Sequence, residues 1–335
     1  MKICFLSGNI DENVGSYRIW VKDLNKSLQE LGHNSVISNS GAKFSKDEAN
    51  DFDIVILCKS AYSVAPEARK IFKRSKIGAI NIPSNHYDSN IDFVIVGSVE
   101  EYISMSKYRN VFIYPLIERK FENVEIKKHE ETSVMKFCFH GHWPHIPKFF
   151  PYLSSALDGY HSNVKPSELH IITGEDESPY GEKFIPSKVP VFFHNYAKIS
   201  FTELVKKFDI GLVPNVTPIE NISPEVVAYN NSQLGLYETD FNIRLKNKTN
   251  AGRSYVFYQH GLPVIHDLSP SSFDFMSRTG IYCCGHDTDS YLREMIRLTD
   301  FSFRNKVAVE NQKAFKRDFN PISHAEKLVN FIKEV

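Results

Sequence analysis

Short apolar runs alternate along the chain with longer stretches in which apolar residues return every three or four positions. KICFLS, NSVIS, DIVILC, IGAINIP, FVIVGS and NVFIYP read as one set of strands, and MKFCFHG, LHIITG, VPVFFHN, DIGLVPN, LPVIHD and GIYCCG as a second. Between the first two runs lies SYRIWVKDLNKSLQELGH, with Ile19, Trp20, Leu24, Leu28 and Leu31 at helical spacing and Gly32 as its stop. Further helices are expected around PKFFPYLSSAL, SFTELVKKF, GRSYVFYQH and SYLREMIRL. Apolar strands separated by helices call for parallel sheets covered on both faces. After Pro115 the rhythm breaks into IERKFENVEIKKHEETS, charged and weakly apolar, which reads as an exposed connection with a domain boundary near Glu130. The predicted fold is α/β: two doubly wound Rossmann-like domains, 1–130 and 131–320, facing a central cleft.

Composition narrows the setting. A chain of 335 residues is long for a single hydrophobic core. Lys plus Arg equals Asp plus Glu at 40 each, so no broad field draws the molecule to a duplex, and no nucleic-acid partner is expected. Cys4, Cys58, Cys138, Cys283 and Cys284 sit in apolar runs, as reduced core cysteines do. The apolar start of MKICFLSGN is too short for a secretory segment, and no apolar run approaches the roughly 18 residues that span a bilayer. A cytoplasmic protein, soluble or peripheral on the inner face of the membrane, is the expectation.

Doubly wound sheets bind ligands in the loops at the carboxyl ends of their strands. The first such loop, SGNIDENVGSYRIW, offers Gly15 and Ser16 at a helix start, where free N–H groups favour an anion, and Arg18 one turn on. IPSNHYDSN follows the fourth strand with His86 and Asp88, residue types suited to moving a proton from a substrate hydroxyl, and Lys59 follows VILC toward the same opening. HGHWPHIPKF brings His140, Gly141, His142 and Lys148 after the first strand of the second half. A zinc centre there is disfavoured, because no cysteine pair or regular helix orders the histidines and Trp143-Pro144 forces a turn between them; contacts to phosphate or sugar fit better. LKNKTNAGRSYVFYQHGLPVI packs Lys248, Thr249, Asn250, Gly252 and Arg253 before a helix, a cationic, amide-rich phosphate cradle. Arg69, Lys70, Lys73, Arg74 and Lys76 surround Ile71 and Phe72 in EARKIFKRSK, which is read as a solvated helix and also suits an anionic lipid surface.

The order of these pieces resembles the two-domain glycosyltransferase fold called GT-B, and within it the group-1 branch, over nearly the whole chain. GSYRIWVKDLNKSLQELGHNSVIS resembles the glycine-led first helix ending in a GH pair, and FTELVKKFDIGLVPN the family's helix, aspartate, strand and proline loop, which ends here at Asn215. GLPVI resembles the turn after the donor-site helix, and GIYCCGHDTDSYLREMIRL the strand and helix that follow. The resemblance implies that the C-terminal helix, 321–335, folds back to complete the first domain. It also implies sugar transfer from a nucleotide-sugar donor, held by the second domain, to an acceptor held by the first. That acceptor would be a glycan or lipid-linked glycan, most commonly in bacterial surface polysaccharide biosynthesis. No cofactor and no obligatory metal are implied, the phosphates being held by backbone N–H groups and basic side chains.

One departure stands out. The two positions at which the group-1 pattern keeps glutamates carry Lys248 and Val256, so the usual acidic contacts to the donor are not carried over. A nucleotide-sugar epimerase of the same fold, or a non-catalytic nucleotide-sugar or glycan-binding subunit, remains the alternative.

Overall fold

The computed structural model describes residues 1–8, 10–12, 14–83, 86–178, 180–216 and 252–335. Its contacts divide into two units, Met1–Arg119 with Phe319–Val335, and Lys120–Asp318.

In the first unit β1 (Lys2–Ser7), β2 (Asn34–Asn39), β3 (Ile54–Cys58), β4 (Lys76–Ile80), β5 (Phe93–Val96) and β6 (Val111–Ile113) form a six-stranded sheet in the order β2-β1-β3-β4-β5-β6. Every pairing is parallel. The pleat sends alternate residues to opposite layers: Ile3, Phe5, Ile54, Ile56, Phe93 and Ile95 join one core, Cys4, Leu6, Val55, Leu57, Val94 and Val96 the other. Burial on both faces explains why these strands read as unbroken apolar runs. The helix Pro321–Glu334 packs Ala325, Leu328, Val329 and Ile332 into the first of these layers.

The second unit has β7 (Met135–His140), β8 (Ser167–Thr173), β9 (Val191–Asn195), β10 (Ile210–Val213) and β11 (Val264–His266) in the order β11-β10-β7-β8-β9, again all parallel. The chain proceeds outward from β7 to β8 and β9, then returns to β10 on the other side. The topological switch point, where a doubly wound sheet opens a crevice, therefore lies between β7 and β10.

Two expectations need correction. The charged stretch near residue 130 is exposed at Lys128, Glu130 and Glu131 but is not a loose connection: His129 is 1% exposed and its Nε2–H donates to the Gly261 carbonyl at 2.8 Å. Lys127 pairs with Asp209 at 3.1 Å, whereas Arg119 is held in the first unit by Asp23, Ser27 and Glu30. GIYCCG forms one bridge, Cys284 to His266, instead of a strand. Gly280 caps the preceding helix at φ +68° and Asp287 caps the next one, so few residues lie between them to extend the pairing. Among the described residues no helix is long and apolar enough to cross a membrane.

Candidate functional site

Three loops converge at the switch point of the second sheet. Gly141 follows β7, Pro214-Asn215-Val216 follow β10, and Asp267 follows β11. The helix Gly252–His260 delivers Arg253 to the same place in its first turn.

Asn215, 2% exposed, is the hub. Its side-chain oxygen accepts from Arg253 Nη2, its carbonyl accepts from Lys148 Nζ, and its N–H, with that of Val216, donates to Asp267 Oδ2. Arg253 is 4% exposed, and its guanidinium carbon lies 5.6 Å from the centre of the Phe139 ring. Among the described residues its Nε and Nη1 are buried without a hydrogen-bond partner, and so is Asp267 Oδ1. Buried N–H groups of this kind are rare and costly unless a ligand meets them. Burial lowers the Arg253 pKa to about 10, with Asp267 opposing the shift, so the guanidinium stays charged at neutral pH. Burial likewise raises the Asp267 pKa, opposed by the Val216 N–H, Lys148, the Asn215 N–H and Arg253.

The approach of Arg253 requires glycine at 141. Gly141 has φ +153°, and a Cβ there would lie 3.1 Å from Phe139 Cζ and 3.2 Å from Arg253 Cδ. His140 serves the helix: its Nε2–H donates to the Arg253 carbonyl at 2.9 Å, and its ring meets Phe257 edge-on at 4.8 Å. Lys148, 4% exposed, lies on the short helical segment Trp143–Phe149, while His142 at its cap is exposed and 5.5 Å from the Trp143 ring. Farther along the site helix, Tyr258 Oη shares a 2.5 Å hydrogen bond with His266 Nε2, tying the helix to β11.

His140, Gly141, Lys148, Asn215, Gly252 and Arg253 are thus brought together. Lys248, Thr249 and Asn250, and the side chain of Lys59, lie outside the described residues. The sequence-derived residues of the first unit form no comparable cluster. Gly15 and Ser16 begin a helical run, Gly15–Tyr17, that continues through Arg18–Asp23 and Leu24–Glu30, and Arg18 is matched at two of its nitrogens: its Nη2 pairs with Glu118 Oε2 at 3.0 Å and its Nη1 donates to the Glu12 carbonyl at 3.0 Å, while its Nε is buried without a hydrogen-bond partner among the described residues. His86 lies against Tyr62 with ring centres 4.7 Å apart and a tilt of 58°, its Nε2 buried and unpartnered among the described residues. Asp88 spends Oδ1 on the Asn90 N–H at 2.9 Å and on its side-chain amide at 2.7 Å, an Asx turn rather than a partner for His86.

Asp267 and Glu118 were not singled out from sequence. Asp267 had a signal, since it ends VIHD at the carboxyl end of a strand. Glu118 had none, because its pairing with Arg18 spans a hundred residues.

No protein-family model and no curated protein sequence matches the chain. Solved structures do. Sucrose-phosphate synthase from Thermosynechococcus elongatus superposes with TM-score 0.62 at 11% identity, over 100% of this chain and 99% of that one. Anabaena Alr3699/HepE in complex with UDP gives TM-score 0.61 at 10% identity, over 100% of both chains. An alpha-glucosyltransferase in complex with UDP and a 13-mer DNA gives 0.57 at 10% identity, over 99% of both. These neighbours are GT-B glycosyltransferases, and the fold described above is the GT-B fold.

Proposed function

We propose that this protein is a glycosyltransferase that takes its sugar from a nucleotide-sugar donor, with the donor diphosphate seated at the switch point of the second unit. The observation that carries the proposal is Arg253: a buried, charged side chain with two nitrogens unpartnered among the described residues, in the first turn of a helix, where the helix's own N–H groups favour an anion. A diphosphate oxygen satisfies the guanidinium, and a donor hydroxyl satisfies Asp267 Oδ1. As the glycosidic bond breaks, charge grows on the leaving phosphate, and a preorganised cation in a dry site stabilises it without rearranging.

Two neighbours of this fold were solved in complex with UDP, which supports a nucleoside diphosphate as the ligand class. Transfer without a metal is part of the proposal, Arg253, Lys148 and the helix dipole supplying the positive charge. Of the two proton acceptors proposed in the first unit, His86 is better suited than Asp88, whose carboxylate is engaged by Asn90. The acceptor is proposed to be a glycan or lipid-linked glycan on the strength of the group-1 resemblance. Charge balance alone excludes no nucleic-acid acceptor, since one neighbour of the fold was solved in complex with DNA.

A non-catalytic binding subunit is favoured by one observation. Val256, at one of the positions where the group-1 pattern keeps a glutamate, is 2% exposed and faces the core. Incubation with a panel of nucleotide sugars and glycan acceptors decides between the two. Transfer of label to an acceptor supports the enzyme, label released from the donor only as an isomerised sugar supports the epimerase, and binding without turnover supports the subunit.

A further inference from the structure

We infer that the first unit carries a second phosphate-binding site, at the amino ends of its strands and independent of the donor site. A cavity of about 330 Å³ opens there, lined by Arg69, Lys73, Arg74, Lys76, Asp92 and Asn110, with Ser75 and Val335 at its margin. Lys76 opens β4, while Asp92 and Asn110 immediately precede β5 and β6. The cavity therefore lies at the end of the sheet away from the loops in which doubly wound folds bind their usual ligands.

The fold places four cations around this space and holds them in two ways. Arg69 and Lys76 are structural. Arg69 donates to the Ser75 carbonyl at 2.9 Å, the Asn90 carbonyl at 2.9 Å and Asp92 Oδ2 at 2.6 Å, and Lys76 Nζ donates to the Ile332 carbonyl at 2.7 Å. Asp92 is consumed by this scaffold, since the same Oδ2 also accepts the Ile77 N–H at 2.7 Å. Lys73 and Arg74 are different. Both are exposed, and neither has a hydrogen bond or ion pair among the described residues.

They are nevertheless not on a loose loop. Phe72, 1% exposed, packs edge-on against Phe44 at 5.1 Å, and Ser75, 3% exposed, donates its hydroxyl to the Phe52 carbonyl at 2.7 Å. The Ser75 N–H returns to the Phe72 carbonyl at 3.3 Å. The turn is pinned at both ends, and its two middle residues have to project. Two unpaired cations fixed beside two structural ones, with the one side-chain carboxylate of the lining already neutralised, make a preorganised anion site. The volume exceeds a lone phosphate and falls in the range of small-molecule sites, so the ligand class is a phosphate ester or diphosphate, free or as a lipid headgroup.

The test uses the full chain and three probes: pyrophosphate, glucose 6-phosphate, and phosphatidylcholine vesicles with or without phosphatidylglycerol. Wild type should bind at least one phosphate-bearing probe saturably, and Lys73→Ala/Arg74→Ala should weaken that binding about tenfold or more, as loss of charged hydrogen bonds does. Lys207→Ala, an exposed lysine of the second unit, should leave it unchanged. Binding of the soluble esters identifies a free ligand, and binding only to the phosphatidylglycerol vesicles identifies a headgroup. Nucleoside diphosphate affinity should be unaffected by the double substitution, which separates this site from the donor site. No binding of any probe by wild type, or equal binding by the double variant or equal weakening by Lys207→Ala, overturns the inference.

Discussion

Arg253 bears two buried nitrogens that no described group satisfies, and each such omission costs a folded protein about 1–3 kcal/mol. Among the described residues no other side chain leaves two such atoms, and a ligand oxygen is the partner a buried guanidinium in this condition calls for. The same reasoning applies with opposite sign to His129. Burial lowers its pKa to about 4, the Gly261 carbonyl opposing the shift and the charges of Lys127 and Arg304 adding to it. The unfolded chain takes up this proton near the ordinary histidine value, before the folded one does, so stability falls as pH drops through the window from about 6.5 to about 4. His129 alone accounts for a loss of about 3 kcal/mol across that window. His170, with a pKa also lowered to about 4, and His266, lowered to about 3, act in the same direction. Denaturant titrations between pH 7 and pH 4 should show this slope, and His129→Gln should flatten it; an unchanged slope would place the histidine in solvent. Much of the site was legible at this scale because Gly141, Asn215 and Arg253 stand beside recognisable strand ends and a helix start. The partner of Arg18 was not legible, since sequence shows a cation near a helix start but not the distant carboxylate of Glu118 that pairs with it.

The helix Gly252–His260 is the element on which the site depends. All nine of its residues are buried, so no polar face marks it in the sequence, and only its length and the GLPVI turn after it disclose it. Its seat on the sheet is glycine. At Gly211 in β10 an added Cβ would come within 2.6 Å of the Phe257 ring, which belongs to this helix and cannot swing away as a flexible chain end would. Gly211→Ala should therefore destabilise the second unit by about 1–3 kcal/mol. It should also weaken nucleoside diphosphate binding, because the helix that moves carries Arg253. Retained affinity with lowered stability would uncouple the seat from the site. The helix Phe301–Asp318 went unrecognised for a related reason. Its buried face includes Arg304, Asn311 and Gln312, and Arg304 spends its guanidinium on the carbonyls of Glu130, Leu298 and Thr299, which hides the apolar period. GIYCCG erred the other way, its apolar content promising a strand that the helix caps on either side cut to one bridge.

On the scale of the whole molecule, the fold was written in two clear features, the unbroken apolar strands and the order of their connections. Both survive at sequence identities near 10% because they depend on burial and connectivity rather than on particular residues. The chain's return to its first unit rests on Ala325, Leu328, Val329 and Ile332. Leu328→Ala should destabilise that unit by about 2–5 kcal/mol while leaving nucleoside diphosphate affinity intact in folded protein, as unfolding monitored beside calorimetry would show. What sequence identity this low does not carry is the ligand, and there Arg253 decides. The most direct measurement is calorimetric titration of UDP, GDP and ADP into wild type and Arg253→Met. Wild type should bind at least one of the three, and Arg253→Met should bind it about tenfold or more weakly while losing less than about 1 kcal/mol of stability, since it also removes a buried, half-satisfied charge. Equal affinity in the two proteins, or no binding by wild type, would contradict the assignment of the switch point as a donor-diphosphate site.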